Sequence, residues 1–313
     1  MSDFPYTIRN YNPDDFGSYL RLNLEANKIA PPVSRVSPQY LRERMDMPGY
    51  FPGLDLFVAE LSGELVGYIG ITRELSIGRV VLDCLVHPKY RRKSLATGLY
   101  HYAIRHAAGL GARAAHVQIA ENNSPAASLL SKLGFRFVRR FLEQRLLLSN
   151  LHLPDTEHTS LPCYHLQRGE EDKLTDIQNY SFTGTWGFSP NTIEEIIYRV
   201  NLAGCSPEDV ILADEADMTI GYCWTTIALH EEADLSTDKG RICMLGVHPE
   251  HQGKGIGRIL LSVGLSYLKS KGINVVELTV DSQNAPACTL YNSAGFRIAS
   301  NSLWYEKELD QPT

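Results

Sequence analysis

A glycine-rich segment in the second half of the chain combines residue types that could bind an anion. Residues 252–257 read Gln-Gly-Lys-Gly-Ile-Gly, and Arg258 follows them. Glycines let a backbone approach a ligand closely, and the first N–H groups of a helix have no acceptor within that helix. Such a turn can hold a pyrophosphate group, and the side chains of Lys254 and Arg258 can add positive charge.

The glycine spacing argues against two common nucleotide-binding motifs. It lacks the third glycine of a GxGxxG turn, and no Gly-Lys-Ser or Gly-Lys-Thr follows, as a Walker A loop requires. It matches Q-x-x-G-x-G at Gln252, Gly255 and Gly257. With residues 245–249 before it and Asn284 after it, the segment resembles the GNAT acetyltransferase superfamily, whose Q/R-x-x-G-x-G/A signature holds the pyrophosphate of acetyl-CoA.

The resemblance implies acetyl-CoA as cosubstrate and suggests roles for individual residues. Backbone groups of Leu245 and Val247 would hold the pantetheine arm, and an N–H of this strand, which we assign to Leu245, would polarise the thioester carbonyl. Asn284 would contact the arm, or else only cap the next helix. Tyr291 would face the sulfur of departing CoA, or else be a core aromatic residue. The expected catalytic residues are Tyr291 and Leu245; the expected cofactor-binding residues are Leu245, Val247, Gln252, Gly253, Lys254, Gly255, Ile256, Gly257, Arg258, Asn284 and Tyr291; no metal site is expected.

The sequence does not decide which group accepts the proton of the attacking amine. Many GNAT relatives keep a glutamate on the strand that corresponds to residues 241–247, and none is present here. Glu277, Glu231 or Asp281 could act through water. Alternatively, an α-amino group with a pKa of about 8 is roughly a tenth unprotonated at neutral pH. We favour direct attack by such an amine. Trp186, in the loop before a Thr192-x-x-Glu195 capping box, would line the acceptor pocket or cover the core.

An internal repeat indicates which elements position these residues. Val-His-Pro occurs at residues 86–88 and 247–249, and Gly-Phe-Arg at 134–136 and 295–297, both 161 apart (247 − 86 = 295 − 134). Before this block the separation is 154, and we place the seven extra residues of the second copy in a surface hairpin at 230–239. Each copy shows helical and strand patterns in alternation, which predicts an α/β fold.

By the resemblance, the fold is two tandem GNAT-like domains, each a mixed, mostly antiparallel sheet flanked by helices. We expect a degenerate domain at 1–150, a linker at 151–163 and a catalytic domain at 164–313. The first copy has Ser94 at the position of Gly255 and Leu130 at that of Tyr291. We therefore expect it to be non-catalytic, with a structural role or a residual cofactor site. This layout is similar to that of the mycothiol synthase type of tandem GNAT protein.

Net charge and composition restrict the classes of molecule that the protein is expected to bind. The formal net charge is −6 and the pI is about 5.9, which argues against binding to nucleic acid or to an anionic membrane surface. No signal segment or membrane-length apolar run is visible, so we expect a cytoplasmic protein. The expected acceptor is a small-molecule amine or a peptide N-terminus, and nothing indicates an oligomeric state. A non-catalytic acyl-CoA-sensing module is the alternative function.

Overall fold

The computed structural model describes residues 6–29, 37–149, 161–227 and 239–310. Most of the expected linker at 151–163 and of the hairpin at 230–239 lies outside these ranges, as does Glu231. The chain forms two compact units, one from residues 1–139 with 302–313 and the other from residues 140–301. Within the described ranges, every helix is too short or too polar to span a lipid bilayer.

The first unit contains one sheet and five helices in the described residues. Its strands are β1 (Thr7–Asn10), β2 (Leu56–Leu61), β3 (Glu64–Glu74), β4 (Arg79–Val86), β5 (Ala114–Ala120) and the first residues of β6 (Arg136–Leu147). Its helices are α1 (Phe16–Ile29), α2 (Pro38–Met45), α3 (Pro52–Asp55), α4 (Leu95–Gly109) and α5 (Ser124–Lys132). The strands follow the order β1-β2-β3-β4-β5, with only the β4–β5 pair parallel.

The second unit repeats this plan. Its strands are β7 (Cys163–His165), β8 (Val210–Glu215), β9 (Met218–Ile227), β10 (Lys239–Val247), β11 (Val275–Asp281) and the first residues of β12 (Arg297–Glu308). Its helices are α6 (Glu171–Phe182), α7 (Ile193–Val200), α8 (Ile256–Ser270) and α9 (Ala285–Ser293). The order β11-β10-β9-β8-β7 contains one parallel pair, β10 with β11. The expected mixed, mostly antiparallel sheets flanked by helices are confirmed.

Each unit is completed by a strand segment from the other copy. Residues 141–147 of β6 pair antiparallel with β11 in the second unit. Residues 302–308 of β12 pair antiparallel with β5 in the first unit. The buried side chain of Leu148 accordingly lies in the core of the second unit, and that of Leu309 lies in the core of the first. Each segment pairs with a strand edge that would otherwise be open. The compact units therefore depart from the repeat boundaries at these last strands.

Two apolar clusters cover the two faces of the second unit's sheet. Successive side chains along β8 and along β9 point to opposite faces of the sheet. Ile211 and Cys223 pack with α8 and α9, whereas Leu212 and Tyr222 pack with α6 and α7. We call the latter the α6 face. The expected capping box begins α7, where the Thr192 hydroxyl accepts from Glu195 N–H and the Glu195 carboxylate accepts from Thr192 N–H.

Candidate functional site

The parallel strands β10 and β11 pair over only part of their length. Lys239–Ile242 pair with Val275–Leu278, and no pairing continues beyond them, although β10 runs to Val247 and β11 to Asp281. The last five residues of β10 thus border a gap between the two strands. Backbone groups that lose a strand partner are free to bind a ligand that is itself extended.

A β-bulge lies at the point where this gap opens. The pairing of β10 with β9 shifts by one residue between Ile242 and Met244, so Cys243 is an extra residue. The equivalent strand β4 pairs with β3 without any shift. One of the seven additional residues of the second copy is therefore in this strand, not in the 230–239 segment, which corrects our placement. A bulge bends its strand and re-aims neighbouring backbone groups.

The backbone groups of Leu245 and Val247 face the gap. His248 N–H donates to the Ile220 carbonyl at 2.8 Å, and hydrogen-bonded positions alternate along an antiparallel pair. Gly246 is therefore bonded to β9, whereas its two neighbours direct their N–H and C=O groups away from β9. In agreement, the Val247 carbonyl accepts from Gln252 Nε2 at 3.1 Å. The structure thus brings these two predicted residues to the edge of the gap.

The glycine loop follows directly and ends at the N-terminus of α8. Gly253 and Gly255 have φ values of +77° and +85°, a region that favours glycine. Gly255 is the N-cap of α8 and provides no side chain to cap it. A Cβ at either glycine would have no atom within 4 Å. The N–H groups at the start of α8 therefore face open space, as an anion site requires.

Two basic side chains flank this helix start. Lys254 and Arg258 are exposed, and neither forms an ion pair with any residue in the described ranges. The other predicted loop residues differ in burial: Ile256 is buried in the core, and the position of Gly257 packs near Leu290. The loop thus offers backbone donors and two free cations on its exposed side.

Tyr291 on α9 is buried, with 7% of its surface exposed, and its ring lies 5.8 Å from that of Phe296. Burial raises the pKa of its phenol above the ordinary value, and the neighbouring Cys223 and Cys288 raise it further. The hydroxyl makes no hydrogen bond to the residues that the structure describes. It is therefore a neutral donor at physiological pH. Both of the roles considered from the sequence, core residue and donor, are compatible with this position.

Asn284 caps α9 as the sequence allowed. Its Oδ1 accepts from Ala287 N–H at 3.1 Å, and Asn123 of the first unit accepts from Ala126 N–H at 3.3 Å in the same way. The Asn284 side-chain NH₂ group has no partner within the described part of the chain. It can donate to a ligand without disturbing the cap.

Glu231 lies outside the described residues, and the other two carboxylates considered as proton acceptors are engaged elsewhere. Glu277 lies 2.6 Å from Arg145 and 3.3 Å from Lys239. Burial alone would raise the pKa of Glu277, but the hydrogen bond from Arg145 and the charge of Lys239 outweigh it, and the pKa is lowered. Asp281 accepts from the Gln283 N–H at 2.9 Å in the turn before α9. A carboxylate held in the charged form by cations is a poor base.

Sequence reasoning missed a carboxylate on the same side of the sheet. Glu143, from the exchanged part of β6, accepts from the Thr279 hydroxyl at 2.7 Å and lies 3.5 Å from Arg241. Thr279 comes directly after the last residue of β11 that pairs with β10. Only the strand pairing could have revealed this residue, because it belongs to the first copy in the sequence.

Aromatic residues of the α6–α7 loop lie near this side of the unit. The ring of Trp186 is 6.1 Å from that of Phe141, and Phe182 is 5.4 Å from Phe188. Trp186 is partly exposed, so it can serve as a wall while it packs on β6. Trp304, in contrast, belongs to the first unit, where Arg79 stacks on its ring at 5.7 Å.

The corresponding loop of the first unit keeps the backbone shape without the glycines. Arg92 and Ser94 adopt φ values of 61° and 57°, which cost free energy for residues with a Cβ. Arg91 Nε donates to the Val86 carbonyl at 3.3 Å, as Gln252 does in the second unit. Leu130, at the position of Tyr291, is also 7% exposed. The environment is retained, but the hydroxyl is lost.

Comparisons with known proteins agree with this geometry. The sequence profile described as "Acetyltransferase (GNAT) family" matches residues 25–135 and 172–296. A mycothiol acetyltransferase of Tsukamurella paurometabola is 31% identical over 297 residues, covering 90% of this chain and 92% of that protein. One from Stackebrandtia nassauensis is 29% identical over 272 residues, or 82% and 84%. A tandem GNAT protein from the clavulanic acid biosynthesis pathway superposes with a TM-score of 0.73 at 16% identity, covering 98% and 99%. The chain therefore belongs to the GNAT acetyltransferase family, with the family's domain present twice, and is an N-acetyltransferase.

Proposed function

We propose that the second unit transfers the acetyl group of acetyl-CoA to the primary amine of a small molecule, by direct attack within a ternary complex. The observation that carries this proposal is the glycine loop at 252–257, which starts α8 beside the gap between β10 and β11. The first unit has the same backbone there but lacks the glycines and the phenol. We therefore assign catalysis to the second unit alone.

The proposed contacts to acetyl-CoA involve its pyrophosphate and its pantetheine arm. Its pyrophosphate would accept from N–H groups of residues 253–257, with Lys254 and Arg258 as cations. Its pantetheine arm would lie in the gap and pair with the backbone of Leu245 and Val247. Asn284 would donate to the same arm. These residues bind and orient the thioester next to the bulge at Cys243.

The chemistry then needs little from the protein. The lone pair of the neutral amine attacks the thioester carbon and forms the carbon–nitrogen bond, and an N–H of β10 near Leu245 stabilises the oxyanion of the tetrahedral intermediate. The carbonyl then re-forms and the carbon–sulfur bond breaks. The sulfur leaves as a thiolate to which Tyr291 donates a hydrogen bond, and the proton released by the nitrogen gives the neutral thiol. Because the phenol pKa is raised, Tyr291 stabilises the thiolate without transferring its own proton.

The acceptor class rests on the relatives. They are named mycothiol acetyltransferases, which supports a small-molecule amine over a peptide N-terminus. No glutamate lies on β10, and Glu277 is held charged. An amine that is partly unprotonated at neutral pH therefore suits this site best.

Two measurements test the proposal. Acetyl-CoA should raise the unfolding temperature of the full chain, and a panel of free amines and peptides should identify an acceptor whose addition consumes acetyl-CoA. Gly255→Glu should abolish both effects, because it places a carboxylate where the pyrophosphate binds. Ser94→Glu is the matched control in the first unit and should leave turnover intact. Stabilisation without consumption by any amine would instead indicate a sensing module, and loss of turnover in the Ser94 variant alone would move catalysis to the first unit.

A further inference from the structure

Several buried polar side chains on the α6 face of the second unit have no partner within the described chain. Tyr222 on β9 is fully buried, and Gln178 on α6 is 1% exposed. The hydroxyls of Tyr222 and Ser181, Gln178 Oε1 and the indole nitrogen of Trp224 make no hydrogen bond to the residues that the structure describes. Buried polar atoms in folded proteins nearly always have a partner. This group therefore requires a partner that the described residues do not supply.

The group adjoins the place where the thioester would lie. A Cβ on Gly246 would come within 2.5 Å of Tyr222 Cε1 and 2.8 Å of Ser181 Cβ. Gly246 stands between Leu245 and Val247, whose backbone groups border the gap. Tyr222 and Ser181 thus contact β10 at the level of the proposed reaction centre. The α6 face is the side of the sheet opposite Tyr291 and α8, and it is the side on which we place the acceptor.

The equivalent residues of the first unit show which partner completes the hydrogen bonds of such a group. Equivalent positions follow from the repeat (222 − 68 = 154 and 244 − 83 = 161), from the opening strands, where Ile8 and Cys163 pair with the equivalent residues Ala59 and Ala213 (163 − 8 = 178 − 23), and from the helix caps (192 − 37 = 199 − 44). The equivalent pairs are Tyr68 with Tyr222, Asn23 with Gln178, Arg44 with Arg199, and Asp83 with Met244; Ser181 stands where the first unit has Ala26 (181 − 26 = 155) and adds a hydroxyl. In the first unit, Asp83 Oδ2 lies 2.6 Å from Arg44 and 3.5 Å from the Tyr68 hydroxyl, which also contacts Asn23 at 3.1 Å. A carboxylate completes that network.

The second unit keeps the donors and the cation but lacks the carboxylate. Met244 replaces Asp83 and offers no acceptor of comparable strength. Arg199 donates to Asn191 Oδ1 at 3.0 Å and forms no ion pair with a carboxylate in the described ranges. Burial raises the pKa of Tyr222 well above its ordinary value, and the charge of Arg199 is near enough to oppose part of that shift. A positive charge and two hydroxyl donors therefore remain available.

We propose that Ser181, Tyr222 and Arg199 form an acceptor subsite for a carboxylate, so that the acceptor is an amino-acid-type molecule with a carboxylate close to its primary amine. This inference rests on the proposed function. The hydroxyls of Ser181 and Tyr222 donate to the carboxylate, and Arg199 balances its charge. A free carboxylate stabilises the ammonium next to it, and pairing with a guanidinium removes that stabilisation. The bound amine then loses its proton more readily, which suits a site without a base.

Matched acceptors test the subsite. The full chain, saturated with acetyl-CoA, is assayed with common L-amino acids and with the carboxamide of each, at a pH where both amines are unprotonated. The amino acid should give a kcat/KM higher by about 10-fold or more, the usual scale of a hydrogen-bonded charge. Arg199→Gln should abolish this preference by lowering kcat/KM for the amino acid while leaving that for the carboxamide unchanged.

Tyr222→Phe removes one hydroxyl with little change of shape. It should raise KM for the amino acid several-fold with a smaller effect on kcat, as expected for lost binding in ground and transition states. Tyr68→Phe is the matched control, because its hydroxyl belongs to the closed network of the first unit, and it should leave both parameters unchanged. Equal losses for amino acid and carboxamide in the Tyr222 variant would show that the group has only a structural role or holds only water, and would overturn the subsite.

The same experiment separates this inference from the proposed function. If carboxamides and simple amines are acetylated as well as amino acids, the subsite is wrong and the acetyltransferase proposal stands. If no amine is acetylated, calorimetry with the amino acids decides. Binding to the wild-type chain that is lost in Arg199→Gln would then retain the subsite and remove the proposed function, whereas absence of binding would remove both.

Discussion

Tyr291 and Leu130 occupy equivalent positions on α9 and α5, and each side chain is 7% exposed. Both are apolar where they pack, but only tyrosine carries a hydroxyl group that can donate a hydrogen bond. Because burial holds the pKa of Tyr291 above its ordinary value, the phenol stays protonated throughout the physiological range. A neutral donor in a water-poor site stabilises a developing thiolate more strongly than water does.

Replacing Tyr291 by Phe should lower kcat by about 100-fold, the scale of one lost transition-state donor, and should leave acetyl-CoA affinity nearly unchanged. Steady-state kinetics and calorimetry measure the two quantities. Tyr100→Phe is the control, since Tyr100 is another buried phenol on a helix, 2.7 Å from Lys307 in the first unit. Undiminished transfer at saturating substrates in Tyr291→Phe would remove its role.

The pH profile gives a second readout of the same residue. The amine must lose its proton, so kcat/KM should rise with pH through the pKa of the acceptor. Because the pKa of Tyr291 is raised, its phenol remains a donor even at pH values above about 10, the ordinary pKa of tyrosine. The profile of kcat/KM against pH should therefore have no descending limb below that pH. A decrease in kcat/KM with rising pH that begins below about pH 9, and that is absent in Tyr291→Phe, would contradict the raised pKa of Tyr291.

At the scale of secondary-structure elements, the sequence predicted those helices whose start is marked by a local sequence motif. The glycine loop at 252–257 leads into α8, and the Thr192 capping box begins α7. The strand exchange was not predictable, because alternation in β6 and β12 identifies strands without identifying their partners. Glu143 was missed for that reason. The bulge at Cys243 was missed because one extra residue cannot be distinguished from a longer loop nearby.

The exchanged strands predict which unit a core substitution weakens. Leu148 follows β6 in the first copy, but its fully buried side chain packs in the second unit. Leu148→Ala should therefore destabilise the second unit by about 2–5 kcal/mol and lower the unfolding transition that acetyl-CoA shifts upward. Leu309→Ala is the counterpart and should lower the other transition, because Leu309 packs in the first unit. The opposite assignment, read from calorimetric unfolding with and without acetyl-CoA, would refute the exchange.

At the scale of the whole chain, two copies of one plan differ in more than their side chains. The second unit has a bulge in β10 where the gap to β11 opens, whereas β4 pairs with β3 in unbroken register. In the first unit, Arg44 also forms an ion pair with Asp83, whereas the equivalent Arg199 of the second unit has no such carboxylate in the described ranges. If only the second unit is catalytic, as we propose, the two copies differ in the strand and in the acceptor side as well as in the loop. Restoring the loop alone should then not restore an enzyme.

Gly255→Glu combined with Ser94→Gly and Leu130→Tyr tests this expectation. The first change should remove the proposed cofactor binding from the second unit, and the other two give the first unit the missing glycine and phenol. Ser94→Gly relieves the cost of the positive φ and removes a Cβ near the phosphate position, so calorimetry should detect acetyl-CoA binding at least as strong as in Gly255→Glu alone. Acetyl transfer should remain at the background of that single variant, because β4 has no bulge to aim an N–H at the thioester. Transfer well above that background would mean that glycine and phenol suffice, and that the bulge and the proposed acceptor subsite are not required.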